Sequence, residues 1–149
     1  MEKELLLNEA IKIAMEAHKD QKDKNNVPYL THVFRVMNMG STLDEKICGV
    51  LHDVVEDHPD DWSFEKLEAK GFPKHIVAAL KCVTKINDDE PYEDFIKRVQ
   101  TNSLAIKVKI NDLTDNLDVK RYNVLTEKEL EKLNKYLKWY KVLVKMDVN

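Results

Sequence analysis

An all-α fold follows from three features of the 149-residue sequence. Three glycines and four prolines leave few breakers, 7 of 149 residues or about 5%, where average usage gives roughly 12%. Apolar residues recur three and four apart in one segment after another. No alternating apolar run sits between hairpin turns, and only Val83-Thr84 and Val142-Leu143-Val144 could run locally extended. No internal repeat or Ser/Gly-rich linker divides the chain, so a single domain over 1–149 is expected.

The first helix is expected from about Glu2 to Lys19, with Leu6, Ala10, Ile13, Ala14 and Ala17 on one face. The polar stretch Asp20 to Pro28 ends it, and the chain restarts near Tyr29 or Thr31 with His32 early in a second helix. A third helix is expected from Leu43 to about Asp57, its wide apolar face of Ile47, Val50, Leu51, Val54 and Val55 suited to a central position, and Pro59 stops it. Ser63 can cap a short helix that Gly71 ends, and Pro73 suits the first turn of the next, through Ile76, Ala79, Leu80 and Val83. A further helix follows Pro91, and Ser103 can cap another through Ala105, Ile106, Val108, Ile110 and Leu113 to Leu117. Thr126 with Glu129 spells a capping box for a last amphipathic helix, about 126–146, which places Leu130, Leu133, Leu137 and Tyr140 over the core and a Lys-rich face in solvent.

Composition removes several classes of function. Lys and Arg number 24 against 27 Asp and Glu, a net charge of −3 with both signs interspersed, which argues against a nucleic-acid coat or a polybasic membrane anchor. No run approaches the ~18 apolar residues of a membrane span, and Met1-Glu2-Lys3-Glu4 begins neither a signal nor a transit peptide, so a cytoplasmic protein is expected. Cys48 and Cys82 make no disulfide framework and are expected as reduced core residues. An anionic ligand must find its positive charge locally.

The third helix carries the unusual chemistry. His52-Asp53-Val54-Val55-Glu56-Asp57 sets four titratable side chains at helical spacing on an otherwise apolar segment. Like-charge repulsion and desolvation make such a cluster unfavourable without a cation, and a divalent metal is the economical one. His52 and Asp53 supply two ligands, and His32 and Asp112 can supply two more from other helices. Two imidazoles and two carboxylates suit Mn²⁺, Fe²⁺, Zn²⁺ or Mg²⁺ better than copper(I) or an iron–sulfur cluster. His18 fits a helix-end imidazole with no catalytic role, while His58 and His75 are expected at the surface. Trp62, Trp139, Tyr136 and Tyr140 are expected to close the core.

The ordered set His32, His52-Asp53 and Asp112 resembles the metal-binding pattern of the HD-domain phosphohydrolase superfamily, a single-domain helical bundle with the metal between helices. Ala17-His18, Pro28-Tyr29-Leu30-Thr31-His32, Leu51-His52-Asp53-Val54-Val55-Glu56-Asp57, Val83-Thr84-Lys85 and Val108-Lys109-Ile110-Asn111-Asp112 extend the resemblance to the hydrolase domain of RelA/SpoT proteins, over about 17–116. The tail from Thr126 to Tyr136 is similar to the stand-alone small alarmone hydrolases, a group that includes the metazoan SpoT homologue. The resemblance implies one divalent metal, Mn²⁺, and hydrolysis of the 3′-pyrophosphate of guanosine 3′,5′-bis(diphosphate) or its pentaphosphate relative to GDP or GTP and pyrophosphate.

By the same pattern Glu56 and Asp57 would orient or deprotonate water or assist protonation of the departing group, and Lys24 and Asn116 would contact nucleotide. The partner implied is a small phosphorylated nucleotide, with no nucleic-acid polymer and no membrane, and a homodimer is compatible. Two departures stand out. The approach to Pro28 reads Lys24-Asn25-Asn26-Val27 where the longer proteins of the family usually have a basic-Ser-Gly-Glu-Pro-like run, and Leu113 and Asp115 stand where those proteins commonly have Arg and His, which removes two positive or hydrogen-bonding contacts that phosphate could find there. Hydrolysis of another nucleotide or of a phosphomonoester, and nucleotide binding without turnover, therefore stay open as alternatives.

Overall fold

The computed structural model describes residues 2–147. Nine α-helices follow one another among them: α1 Lys3–His18, α2 Leu30–Met39, α3 Leu43–Leu51, α4 Val54–Asp57, α5 Phe64–Ala69, α6 Lys74–Cys82, α7 Tyr92–Val99, α8 Ser103–Asn116 and α9 Glu127–Asp147. The described residues contain no strand, only an isolated bridge between Lys22 and Pro28, and a 3₁₀ turn at Val119–Arg121. Among the described residues no helix is long and apolar enough to cross a membrane.

The apolar spacing decides what packs where. α3 is buried on nearly all sides and lies against α1, α2, α6 and α8, as its wide apolar face predicts. Ala10 and Ala14 let α1 approach it closely, and Gly49 does the same for α2: a Cβ there would meet Val36 O and Met37 Cα at 3.2 Å. α8 lies between α3 and α9 and also meets α2, so α2, the end of α3 and α8 converge. Their convergence positions the site.

Several local expectations are corrected. The helix expected over Leu43–Asp57 is broken at His52 and Asp53, where Asp53 adopts φ −106° and ψ 0°. His52 Nδ1 donates to the Gly49 carbonyl (2.6 Å), competing with the Asp53 amide for that acceptor at the break. The cap of α8 is Asn102, whose side chain accepts the Ala105 amide, with Ser103 already helical. Thr126 accepts the Glu129 amide (3.2 Å), but a Glu129 carboxylate oxygen is buried without a partner among the described residues, so only half of the capping box forms. Val142–Val144 is helical, and Cys82 is only partly buried, unlike Cys48. Gly71 does end α5: its φ of 104° lets Phe72 N–H reach back to the Leu67 carbonyl (3.2 Å) and tucks the Phe72 ring into the core.

Candidate metal centre

Four side chains from three parts of the chain converge. His32 comes from the first turn of α2, His52 and Asp53 from the break after α3, and Asp112 from α8. One ligand atom from each lies within 4.8 Å of all the others, and all four residues are buried. His52 Nε2 stands 3.0 Å from Asp53 Oδ2 and 3.2 Å from Asp112 Oδ1; His32 Nε2 stands 3.0 Å from Asp112 Oδ1 and 3.8 Å from Asp53 Oδ2. The break supplies this geometry. Adjacent residues in a continuous helix point about 100° apart, whereas here consecutive side chains face one point.

The other ring nitrogens fix which atoms face inward. His32 Nδ1 donates to Asp115 Oδ2 (2.6 Å) and His52 Nδ1 to the Gly49 carbonyl (2.6 Å), so both Nε2 atoms are left for the centre. Two imidazole nitrogens and two carboxylates thus meet in a buried space, which only protons or a cation can reconcile. Protons do so in the metal-free chain. Burial opposes charging the histidines, but the neighbouring carboxylates outweigh it, Asp53 first for His52 and Asp112 first for His32, and raise both above the ordinary value. Burial would push Asp53 up, yet the His52 charge beside it brings it to about 2. Asp112 lies well below the carboxylate range because Lys109 and both histidines outweigh its burial. The donor set fits one divalent cation of the N/O-preferring kind.

A second ring of groups holds these four, and most of it was not legible in the sequence. Asp115, 2% exposed, accepts from His32, from Arg35 Nε (2.6 Å) and from Arg121 Nη1 (2.9 Å). It is thus the outer partner of His32. Lys109 is 8% exposed and donates to Asp112 Oδ2 (2.8 Å). The Tyr29 hydroxyl donates to Asp53 Oδ2, and Asn116 Nδ2 to Asp112 Oδ1 (3.2 Å). The available signal was spacing: Lys109 and Asp115 lie three residues from Asp112 and Asn116 four, on one side of α8.

Glu56 and Asp57 stand beside this centre on the short helix α4. Carboxylate oxygens of Asp53, Glu56 and Asp57 lie within 4.8 Å of one another. Burial first, then the Asp53 charge, pushes Glu56 up to about 7 and Asp57 up to about 6. Glu56 Oε1 accepts the Lys85 amide (2.8 Å), and Asp57 Oδ2 accepts Gln21 Nε2 (2.9 Å). Because that amide nitrogen is committed, Gln21 Oε1 must accept from both His18 Nδ1 (2.6 Å) and His58 Nε2 (2.7 Å). His58 is therefore not the surface residue its neighbour Pro59 suggested; His75 is exposed as expected.

A cavity of about 150 Å³ runs up to the centre, bordered by His52, Asp53, Glu56, Asp112, Lys85 and Tyr92. It shares Tyr29, Asn116 and Tyr136 with a groove of about 340 Å³ whose other walls include His32, Lys24, Arg121, Tyr122 and Lys132. Lys24 lies 4.5 Å over the Tyr122 ring. Burial and then the charges of Lys24, Lys135, Lys128 and Lys85 lower the Lys132 pKa, so several ammonium groups crowd this mouth. Crowded cations in a chain of net charge −3 suit an anionic ligand. Three of them, Lys128, Lys132 and Lys135, come from the helix expected only to cover the core, and Tyr136 both packs on that core and lines the groove.

No protein-family model matches the chain. Among curated proteins it is 32% identical over 150 residues to guanosine-3′,5′-bis(diphosphate) 3′-pyrophosphohydrolase MESH1 of Drosophila melanogaster, covering 91% of this chain and 81% of that protein. It is 27% identical over 140 residues to guanosine-3′,5′-bis(diphosphate) 3′-pyrophosphohydrolase of Aquifex aeolicus, where it covers 87% of its own length but spans 19% of the relative.

Proposed function

This chain belongs to the guanosine-3′,5′-bis(diphosphate) 3′-pyrophosphohydrolase family, and we propose that it removes the 3′-pyrophosphate of guanosine 3′,5′-bis(diphosphate) or its pentaphosphate relative. The observation that carries the reading is the buried His32, His52, Asp53 and Asp112 cluster opening into the same cavity as Glu56, a carboxyl that titrates near neutrality. Those four side chains would hold one divalent cation, Mn²⁺ by the family pattern. Bound there, such an ion lowers the pKa of a water and offsets charge on phosphoryl oxygens.

The chain's own groups divide the remaining work. Lys24 and Asn116, on the wider groove, contact the nucleoside end. Lys85 and Lys109 offset phosphate charge in the narrow cavity. Glu56, anchored through Oε1 by the Lys85 amide, takes a proton from the attacking water. As the oxygen of that water bonds to phosphorus, the P–O3′ bond breaks and the proton passes to O3′, giving GDP and pyrophosphate. Asp57, held by Gln21, stands beside Glu56 and favours its protonated form by charge repulsion. The reaction consumes a soluble nucleotide of the stringent response in the cytoplasm and needs neither a nucleic-acid polymer nor a membrane.

The test is product analysis by ion exchange after incubating Mn²⁺-loaded protein with guanosine tetraphosphate. The expected result is GDP plus pyrophosphate, absent from a metal-free sample and reduced at least a hundredfold in Glu56→Gln, the scale of losing a general base. Orthophosphate in place of pyrophosphate would mean that a terminal phosphoanhydride is cut instead of the P–O3′ bond, and would make the chain a different nucleotide phosphohydrolase. Tight binding with no product above a His52→Ala control would make it a nucleotide-binding module.

A further inference from the structure

The hydroxyl oxygen of Tyr92 is buried, with the Lys109 ammonium beside it and no acceptor for its own proton among the described residues. Tyr92 is the first residue of α7, and it lines the narrow cavity together with His52, Asp53 and Asp112. Its ring cannot swing the hydroxyl elsewhere freely, because Phe95 packs edge-on against it at 5.8 Å between centroids and Tyr136 lies at 6.1 Å. Around the same ring stand three ammonium groups, Lys135 at 4.5 Å, Lys109 at 5.6 Å and Lys85 at 5.8 Å from its centroid.

A buried donor without an acceptor is unfavourable unless a ligand completes it. The ligand atom that fits must accept a hydrogen bond, and the surrounding ammonium groups favour one that is negatively charged. At about 150 Å³ the cavity is smaller than ordinary small-molecule sites, so it takes a substituent of the ligand while the larger groove takes the remainder. Phosphoryl oxygens meet all three requirements. Burial also raises the Tyr92 pKa, which keeps the hydroxyl a donor through the neutral range.

We propose that Tyr92 donates its hydroxyl proton to the terminal phosphoryl group of the substrate's 3′-diphosphate, so that it selects a two-phosphate over a one-phosphate substituent at that position. The proposal rests on the alarmone-hydrolase reading given above. It assigns to α7 the recognition of charge that the substitutions at Leu113 and Asp115 would otherwise leave to the lysines alone.

Tyr92→Phe tests this directly, since it keeps the ring, its packing and its contacts with the ammonium groups. Binding of inorganic pyrophosphate and orthophosphate to Mn²⁺-loaded protein is measured by calorimetry beside steady-state kinetics on guanosine tetraphosphate. Pyrophosphate binding should weaken about tenfold, the scale of one hydrogen bond to a charged acceptor, with orthophosphate binding changed less than about twofold. KM for the tetraphosphate should rise about tenfold with kcat within about threefold. The Tm should fall by no more than about 2 °C, because no protein group accepts from the lost hydroxyl and only the Lys109 ammonium stands beside it. Equal pyrophosphate binding in both proteins overturns the proposal, as does a weakening that comes with a larger fall in Tm. Failure of the wild type to hydrolyse the tetraphosphate would sink the functional reading, while the pyrophosphate comparison would still report on Tyr92.

Discussion

Asp115 and the Gly49 carbonyl have the same task for two different histidines: each takes an Nδ1 proton and leaves an Nε2 atom facing the carboxylates. They differ in what else depends on them. The carbonyl belongs to the helix, whereas Asp115 is also the acceptor for Arg35 and Arg121 in a buried place. Asp115→Ala should therefore weaken Mn²⁺ binding by about 10–100-fold, and Asp115→Asn by less, read by competition with a chromophoric chelator. Unchanged affinity in both variants would show that His32 is oriented by packing alone. The four residues expected to ligate the metal were legible because histidines and acids stood out against apolar helices. Asp115 was not, because a single sequence shows it as one more acid near a helix end. Lys109 was hidden for a related reason: lysine is charged, and nothing in the spacing alone says that a carboxylate lies three residues on in the interior rather than in water.

Helix periodicity marked every longer helix, and its failures were local ones. Periodicity carried the expected third helix straight through His52, because Val54 and Val55 continue the apolar pattern after the backbone has turned. Competition for a carbonyl decides such a break, and hydrophobic spacing does not record it. Asn102 displaced Ser103 as a cap by one position, within the ordinary uncertainty of helix ends. The closeness of α2 and α3 gives an element-scale prediction. Gly49→Ala puts a methyl against backbone atoms of Val36 and Met37 at 3.2–3.3 Å, which cannot rotate away. It should destabilise the fold by about 1–3 kcal/mol, measured by urea unfolding. Because the Gly49 carbonyl also holds His52, metal affinity should fall with it; an unchanged urea midpoint would mean that the two helices separate without penalty.

Across the whole molecule, the clustered groups set an unusual pH dependence for the metal-free protein. Glu56 and Asp57 hold protons in the folded chain up to about pH 7 and about pH 6, above their ordinary 4.5 and 3.8, so their contribution to stability falls as pH rises through that window. His32 and His52 are raised as well, and their contribution is present below 6.5 and lost as pH rises through the folded values. Asp53 and Asp115, lowered to about 2 from 3.8, act with the opposite sign and lose their contribution as pH falls through about 2. The metal-free Tm should peak at roughly pH 4–5 and decline toward pH 8. Mn²⁺ should restore it most at pH 8, where fewer protons compete for the ligands. Glu56→Gln should raise the metal-free Tm at pH 8 by roughly 2–4 °C, even though it removes activity. A metal-free Tm that climbs steadily from pH 5 to pH 8 would contradict this account. One consequence belongs to the path of folding. The four inner side chains lie in separate stretches, with 20 residues from His32 to His52 and 59 from Asp53 to Asp112. Both cysteines are free, so an ion tying those stretches together would be a cross-link in this chain, closing two loops at once and coming apart under a chelator where a disulfide would need a reductant.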